Sequence, residues 1–136
     1  MLDRLILAGV IIALGTATWI LFNRLSIRRL VMVAPADPIL TGARRGVPTI
    51  LYFTTPDCIP CRTLQRPALN EIEATMGSRV QVIEIDSVEQ PDVADRWGVF
   101  SAPTTFILDE QGKPRRVNRG VALADTLKKQ LNSLAS

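Results

Sequence analysis

The chain has no histidine, only two cysteines and few aromatics, which make up 5% of its 136 residues. Lacking histidine, it lacks the commonest general base and the commonest metal ligand. Ser-His-Asp hydrolysis, His-ligated zinc and histidine-ligated haem are disfavoured on that ground. Two cysteines can neither complete a four-cysteine zinc site nor staple a disulfide-dense secreted scaffold. Charge of one sign is lacking as well, since 16 basic and 13 acidic residues leave +3. That balance demands no nucleic-acid partner, and no phosphate loop, nucleotide fingerprint or paired-carboxylate site is visible. The length fits one globular domain.

Charge is absent altogether from residues 5–22, LILAGVIIALGTATWILF, a run of 18. As a helix this run rises about 27 Å, close to the hydrocarbon thickness of about 30 Å. Residues 1–23 therefore read as an N-terminal transmembrane anchor through residues 5–22, with Arg4 and Arg24 placed to snorkel at its ends. Trp19 and Phe22 lie near one interface. The alternatives are a core helix and a cleaved signal peptide, the latter with Gly15-Thr16-Ala17 as the small-residue site. The apolar run continues past that site through Trp19-Ile20-Leu21-Phe22, and Asp3 offsets Arg4 in the n-region. Arg24, Arg28 and Arg29 follow the run, with Arg44 and Arg45 beyond. By the positive-inside rule they hold the C-terminal side in the cytoplasm; they can also lie against anionic headgroups just outside the membrane, and ordinary juxtamembrane solubilising charge is an equal reading.

Residues 24–46 read as a juxtamembrane linker, interrupted by Pro35, Pro38, Gly42 and Gly46, with Leu30-Val31-Met32-Val33 as a short edge strand. The pattern changes at residue 47, and 47–136 reads as one α/β domain. Thr49 to Thr54 is β-branched and aromatic, a buried strand. Cys61 to Met76 follows as a helix with Leu64, Ala68, Leu69, Ile72 and Met76 inward, kinked at Pro67 and stopped at Gly77. Val80 to Asp86 alternates as a strand, and Val88 to Trp97 is a short helix. Thr104 to Leu108 and Arg115 to Asn118 form a hairpin about Asp109-Glu110-Gln111-Gly112. Leu123 to Leu134 is a closing amphipathic helix with Leu123, Leu127, Leu131 and Leu134 on one face. This order predicts a sheet covered by helices on both faces.

Both cysteines fall in Cys58-Ile59-Pro60-Cys61, between the first strand and the first helix of that domain. The free N–H groups of a helix start favour a thiolate over a thiol, and such surroundings lower a cysteine pKa. Two intervening residues allow reversible ring closure across the first turn, and Pro60 stiffens the loop at an early helical position. Cys58 is the expected exposed nucleophile and Cys61 the buried resolving thiol. Half of a zinc site would need a second pair, which the chain does not have. A purely structural disulfide would close too short a loop to stabilise much.

At these residues the sequence resembles the thioredoxin family over about 47–136. Tyr52-Phe53-Thr54 leading to Cys58-Ile59-Pro60-Cys61-Arg62 is similar to its strand, active-site loop and long kinked helix. Trp97-Gly98-Val99-Phe100-Ser101-Ala102-Pro103-Thr104-Thr105-Phe106 is similar to the stretch holding its cis-proline, Pro103 here; a plain turn proline is the alternative. Gly112-Lys113 and Gly120 also fit. The resemblance implies a thioredoxin-like fold, a central mixed sheet flanked by helices. It implies a redox-active Cys58–Cys61 disulfide with no other cofactor and no metal, and catalytic roles for Cys58, Cys61 and Pro103. Ile59, Pro60, Ala102 and Thr104 would bind substrate, the Ala102 backbone pairing with an extended partner segment.

Four departures qualify the carry-over. Ile-Pro replaces the usual Gly-Pro between the cysteines. Asp57 stands where thioredoxins usually have tryptophan, a carboxylate that opposes the Cys58 thiolate, caps the helix or shuttles a proton. Tyr52 replaces their buried acid, the usual proton acceptor for Cys61. Pro67 falls one residue later than their helix-kinking proline.

The expectation is a membrane-anchored thiol–disulfide oxidoreductase, monomeric, exchanging disulfides with partner proteins and with a redox partner protein. One rival is a tethered copper(I) metallochaperone holding the ion through both thiolates. The other is a redox-silent adaptor of the same fold.

Overall fold

The computed structural model describes residues 1–33 and 36–135, with residues 30–33 described by their backbone. Helix α1 spans Leu2–Val33, and within it Leu2–Arg29 is long and apolar enough to cross a membrane. The edge strand expected at 30–33 is instead the end of this helix. Those four apolar residues follow an unbroken helix-compatible run, and no glycine or proline stands between Phe22 and Val33 to end it. Pro35 lies outside the described residues.

The domain contains β1 (Thr49–Thr54), α2 (Arg66–Met76), β2 (Gln81–Asp86), α3 (Pro91–Arg96), β3 (Thr104–Leu108), β4 (Pro114–Arg119) and α4 (Ala124–Leu134). The sheet order is β2-β1-β3-β4. β1 pairs in parallel with β2 and antiparallel with β3, so the sheet is mixed. Both faces of β1 are covered, which is why its residues read as a continuous apolar run rather than an alternation. Successive side chains still point to opposite faces. Ile50 and Tyr52 join Leu69, Ile72, Leu127 and Leu131 on the side of α2 and α4. Leu51 and Phe53 join Ile85, Trp97, Phe106 and Leu108 on the other. There Trp97 and Phe106 meet edge to face at 5.1 Å. Trp97 is thus a core residue.

α3 is shorter than the expected Val88–Trp97. The Asp86 carboxylate accepts the N–H groups of Val88 and Glu89 at 2.8 and 3.3 Å, a local turn that competes with helix, and Pro91 then starts the helix. In α4, Leu127 and Leu131 are buried, but Leu123 is exposed because it occupies the extended N-cap position.

The segment read as a linker is fastened to the domain. Asp37 is buried and accepts bonds from Ile39 N, from Arg96 Nε and Nη2, and from the Trp97 indole N–H at 3.0 Å. Ile39 and Leu40 pack beneath against the Trp97 core. Arg44 adds a bond to Val80 O. A short polar residue among prolines reads as loop in sequence, and its distant partners, 59 and 60 residues away, carry no local signal.

Gln65 makes a second long-range clasp. It is fully buried on the inward face of the first helical turns, where Leu64 was expected and is instead half exposed. Its amide donates to Ala122 O at 3.0 Å and accepts Ala122 N–H at 2.9 Å. The helix that carries the cysteines is thereby tied to the segment preceding α4.

Two stability outcomes follow. Gln65→Leu leaves both backbone groups of Ala122 buried without partners and costs about 2–4 kcal/mol, read as a lowered urea midpoint. Asp37→Ala strands the Trp97 N–H and the Arg96 guanidinium and costs about 2–3 kcal/mol. Burial pushes the Asp37 carboxyl up, but its bonds from Arg96, Ile39 and Trp97 outweigh that and hold it below the usual carboxylate range. A folded-state pKa below the unfolded one gives stability at neutral pH that is lost as pH falls through the folded value. Urea midpoints should therefore drop below about pH 4. Asp37→Ala should flatten that drop in part, with Asp109, also held low, supplying the remainder.

Candidate active site

β1 ends at Thr54, a turn through Pro56 and Asp57 follows, and helix begins at Ile59. This junction brings Cys58 and Cys61 to a Cα–Cα distance of 5.2 Å, and the two sulfurs are bonded. Both cysteines are buried, Cys58 at 9% exposure and Cys61 at 1%, so Cys58, expected to be exposed, is only the less buried of the two. The Cys61 N–H donates to Cys58 Sγ at 3.2 Å. A backbone donor and a helix start of this kind favour a thiolate over a thiol.

The helix opens unusually. Residues Cys61–Gln65 form a π turn closed by the Arg66 N–H on Cys61 O, and α2 continues from Arg66. Pro67 has no N–H to give to the preceding turn, and a widened turn admits one extra residue without breaking the helix. The single-residue displacement of Pro67 noted in the sequence is taken up here.

Tyr52 is buried beneath this turn and donates its hydroxyl to Cys61 O at 3.4 Å, a long bond. The Arg66 guanidinium lies over its ring, 5.5 Å from the centroid, and pairs with Glu84. Burial pushes the Tyr52 hydroxyl up from its ordinary value. At the position of the family's buried acid there is therefore a neutral donor, supported by a cation–carboxylate pair that β1–β2 pairing sets opposite it.

The remaining expected residues surround the disulfide in different ways. Ile59 and Pro60 are exposed at the start of the helix. Asp57 is exposed and, among the described residues, caps no helix: its carboxylate takes part in no hydrogen bond, because the helix starts two residues later. Ala102 and Pro103 are joined by a cis peptide bond. Thr104 is fully buried at the start of β3, its hydroxyl on Ser101 O at 2.8 Å. Phe100, in the loop before that bond, is 89% exposed. Neither Phe100 nor Gln65 was singled out from sequence, the first because an isolated aromatic reads as core, the second because its partner is 57 residues distant. Among the described residues no group of three or more cysteine, aspartate or glutamate side chains gathers to hold a metal ion.

Comparison with known proteins places this geometry. The thioredoxin-like domain family matches residues 41–135. Thioredoxin 1 of Synechococcus elongatus is 33% identical over 89 residues, covering 63% of this chain and 82% of that protein. Thioredoxin Y of rice chloroplasts is 31% identical over 97 residues, covering 71% of this chain and 55% of the longer relative. Among solved structures, chloroplastic thioredoxin z superposes with a TM-score of 0.63 at 28% identity, covering 71% of this chain and 85% of that one. StoA from Bacillus subtilis shares the fold at 20% identity, with a TM-score of 0.54 over 65% of this chain and 84% of its own. With a mixed sheet, a bonded Cys58–Cys61 pair at a helix start and a family match over most of its length, the chain belongs to the thioredoxin-like family of thiol–disulfide oxidoreductases.

Proposed function

We propose that the protein is a membrane-anchored oxidoreductase that exchanges disulfides with partner proteins through Cys58 and Cys61. The observation that carries this reading is the pair itself: an outer sulfur with a backbone donor on it, and an inner sulfur within bonding distance below.

In the reducing direction, the Cys58 thiolate attacks one sulfur of a partner disulfide. A mixed disulfide forms and the other partner sulfur leaves as a thiolate. Cys61, having lost its proton, attacks Cys58 Sγ, closing the intramolecular disulfide and releasing the second partner thiolate. The partner gains two electrons and the cysteine pair gives them up; the same steps reversed oxidise a partner dithiol. Tyr52 stays a phenol near neutral pH, so it holds the Cys61 carbonyl rather than removing the Cys61 proton. With no buried carboxylate below it among the described residues, that proton passes to solvent or to the exposed Asp57. Ala102, beside Pro103, offers its backbone to an extended partner segment, and Ile59 and Pro60 flank the same approach.

Helix α1 supports the anchor by length and composition. We place the domain on the exocytoplasmic face, where disulfides persist, although the arginines after Phe22 weigh toward the other side.

Cys61→Ser should accumulate mixed disulfides with partners, seen as reductant-sensitive bands on non-reducing gels. Cys58→Ser should abolish turnover of a disulfide substrate; turnover at the wild-type rate would overturn the assignment of Cys58. Protease shaving of intact spheroplasts should remove a C-terminal tag. A tag protected until lysis would place the domain in the cytosol as a reductase of membrane-bound partners.

A further inference from the structure

The two ends of the domain carry opposite charge. Arg44 and Arg45 precede β1, Arg79 precedes β2, and Lys113, Arg115 and Arg116 follow the β3–β4 turn. Strand register gathers these six at one end of the sheet, and all six are exposed. Their elements touch: Arg44 donates to Val80 O at 3.1 Å, and the Gly46 N–H reaches Glu110 O at 3.3 Å. The acids at this end include Asp37, which is bonded to Arg96, Asp109, which is paired with Arg115 at 2.7 Å, and Glu110. At the opposite end, Asp57 follows β1, and Asp86 and Glu89 close β2 and its turn, with Arg62 and Arg119 as the cations beside them.

The cationic end is also the tethered end. Helix α1 ends at Val33 and Asp37 is already buried in the domain, so four peptide steps, at most about 14 Å, separate them. The helix past Phe22 carries Arg24, Arg28 and Arg29. It rises about 16 Å, the first part of which lies among headgroups. α1 approaches β4, and the short connection lets the domain fold back along it toward the bilayer.

We propose that this cationic end docks on anionic phospholipid headgroups, laying the domain on the bilayer with the disulfide turned outward. The inference rests on the reading of α1 as a membrane span. The inverted orientation sets Asp57, Asp86 and Glu89 against the same anionic surface, which repels them. Screening confines the attraction to about 8 Å at physiological salt, so docking requires contact. The protein served would then present its cysteines above the membrane surface rather than within it.

Amide hydrogen exchange of the full chain in nanodiscs tests the proposal, comparing phosphatidylcholine alone with a mixture rich in phosphatidylglycerol. Exchange across 43–46 and 110–116 should slow about threefold in the anionic discs, an effect that high salt removes because the contact is electrostatic. A variant combining Arg45→Glu, Lys113→Glu and Arg116→Glu should lose that protection while β1 exchanges as in the wild type. Equal exchange in both discs, with the chain still embedded, would overturn the docking and leave the anchor intact. A chain recovered free of both kinds of disc would overturn the membrane-spanning reading, and the docking with it.

Discussion

Everything at the active end of this protein depends on β1 being closed in on all sides. It has a parallel neighbour on one edge, an antiparallel neighbour on the other, and a layer of packed side chains on each face. A strand so held has one register only, because a slip of one residue would exchange its two buried sets. Its last residue is therefore a fixed point, and the turn from Thr54 to Ile59 delivers Cys58 and Cys61 to one place. The disulfide inherits its position from the strand, and its reactivity from the helix start that follows.

The elements with strong local patterns were legible in the sequence. The apolar run of β1, the alternation of β2, the hairpin about Gly112 and the leucine stripe of α4 each carry their own periodicity, and their order specifies the sheet. The cysteine pair was legible for the same reason, since four consecutive residues contain its geometry. What sequence hid were contacts between distant polar residues. Asp37 among prolines reads as a turn former until Arg96 and Trp97 are brought to it. Gln65 reads as a solvated helical residue until its amide meets Ala122, and it displaced Leu64 from the inward face. In both cases a polar side chain is buried because its partners are supplied by tertiary structure, which no hydrophobic pattern records.

These two clasps divide the labour of holding the domain together. Gln65 links the cysteine-bearing helix to the approach of α4, on one side of the sheet. Asp37 fastens the chain leaving α1 to α3 and to the aromatic cluster of Phe53, Trp97 and Phe106 on the other. In the proposed anchored protein, a helix joined to such a body through a few residues restricts where the body can go, and the disulfide samples a limited shell of space.

The π turn between Cys61 and Gln65 bears on how such chains are compared. It stores one residue as a wider loop of backbone while the cysteines stay at the strand end and Ala68, Leu69 and Ile72 stay on the core. A length change in this helix can thus be silent in three dimensions. An alignment that counts residues from the cysteine pair to the helix proline would charge a gap to a place where the architecture has none.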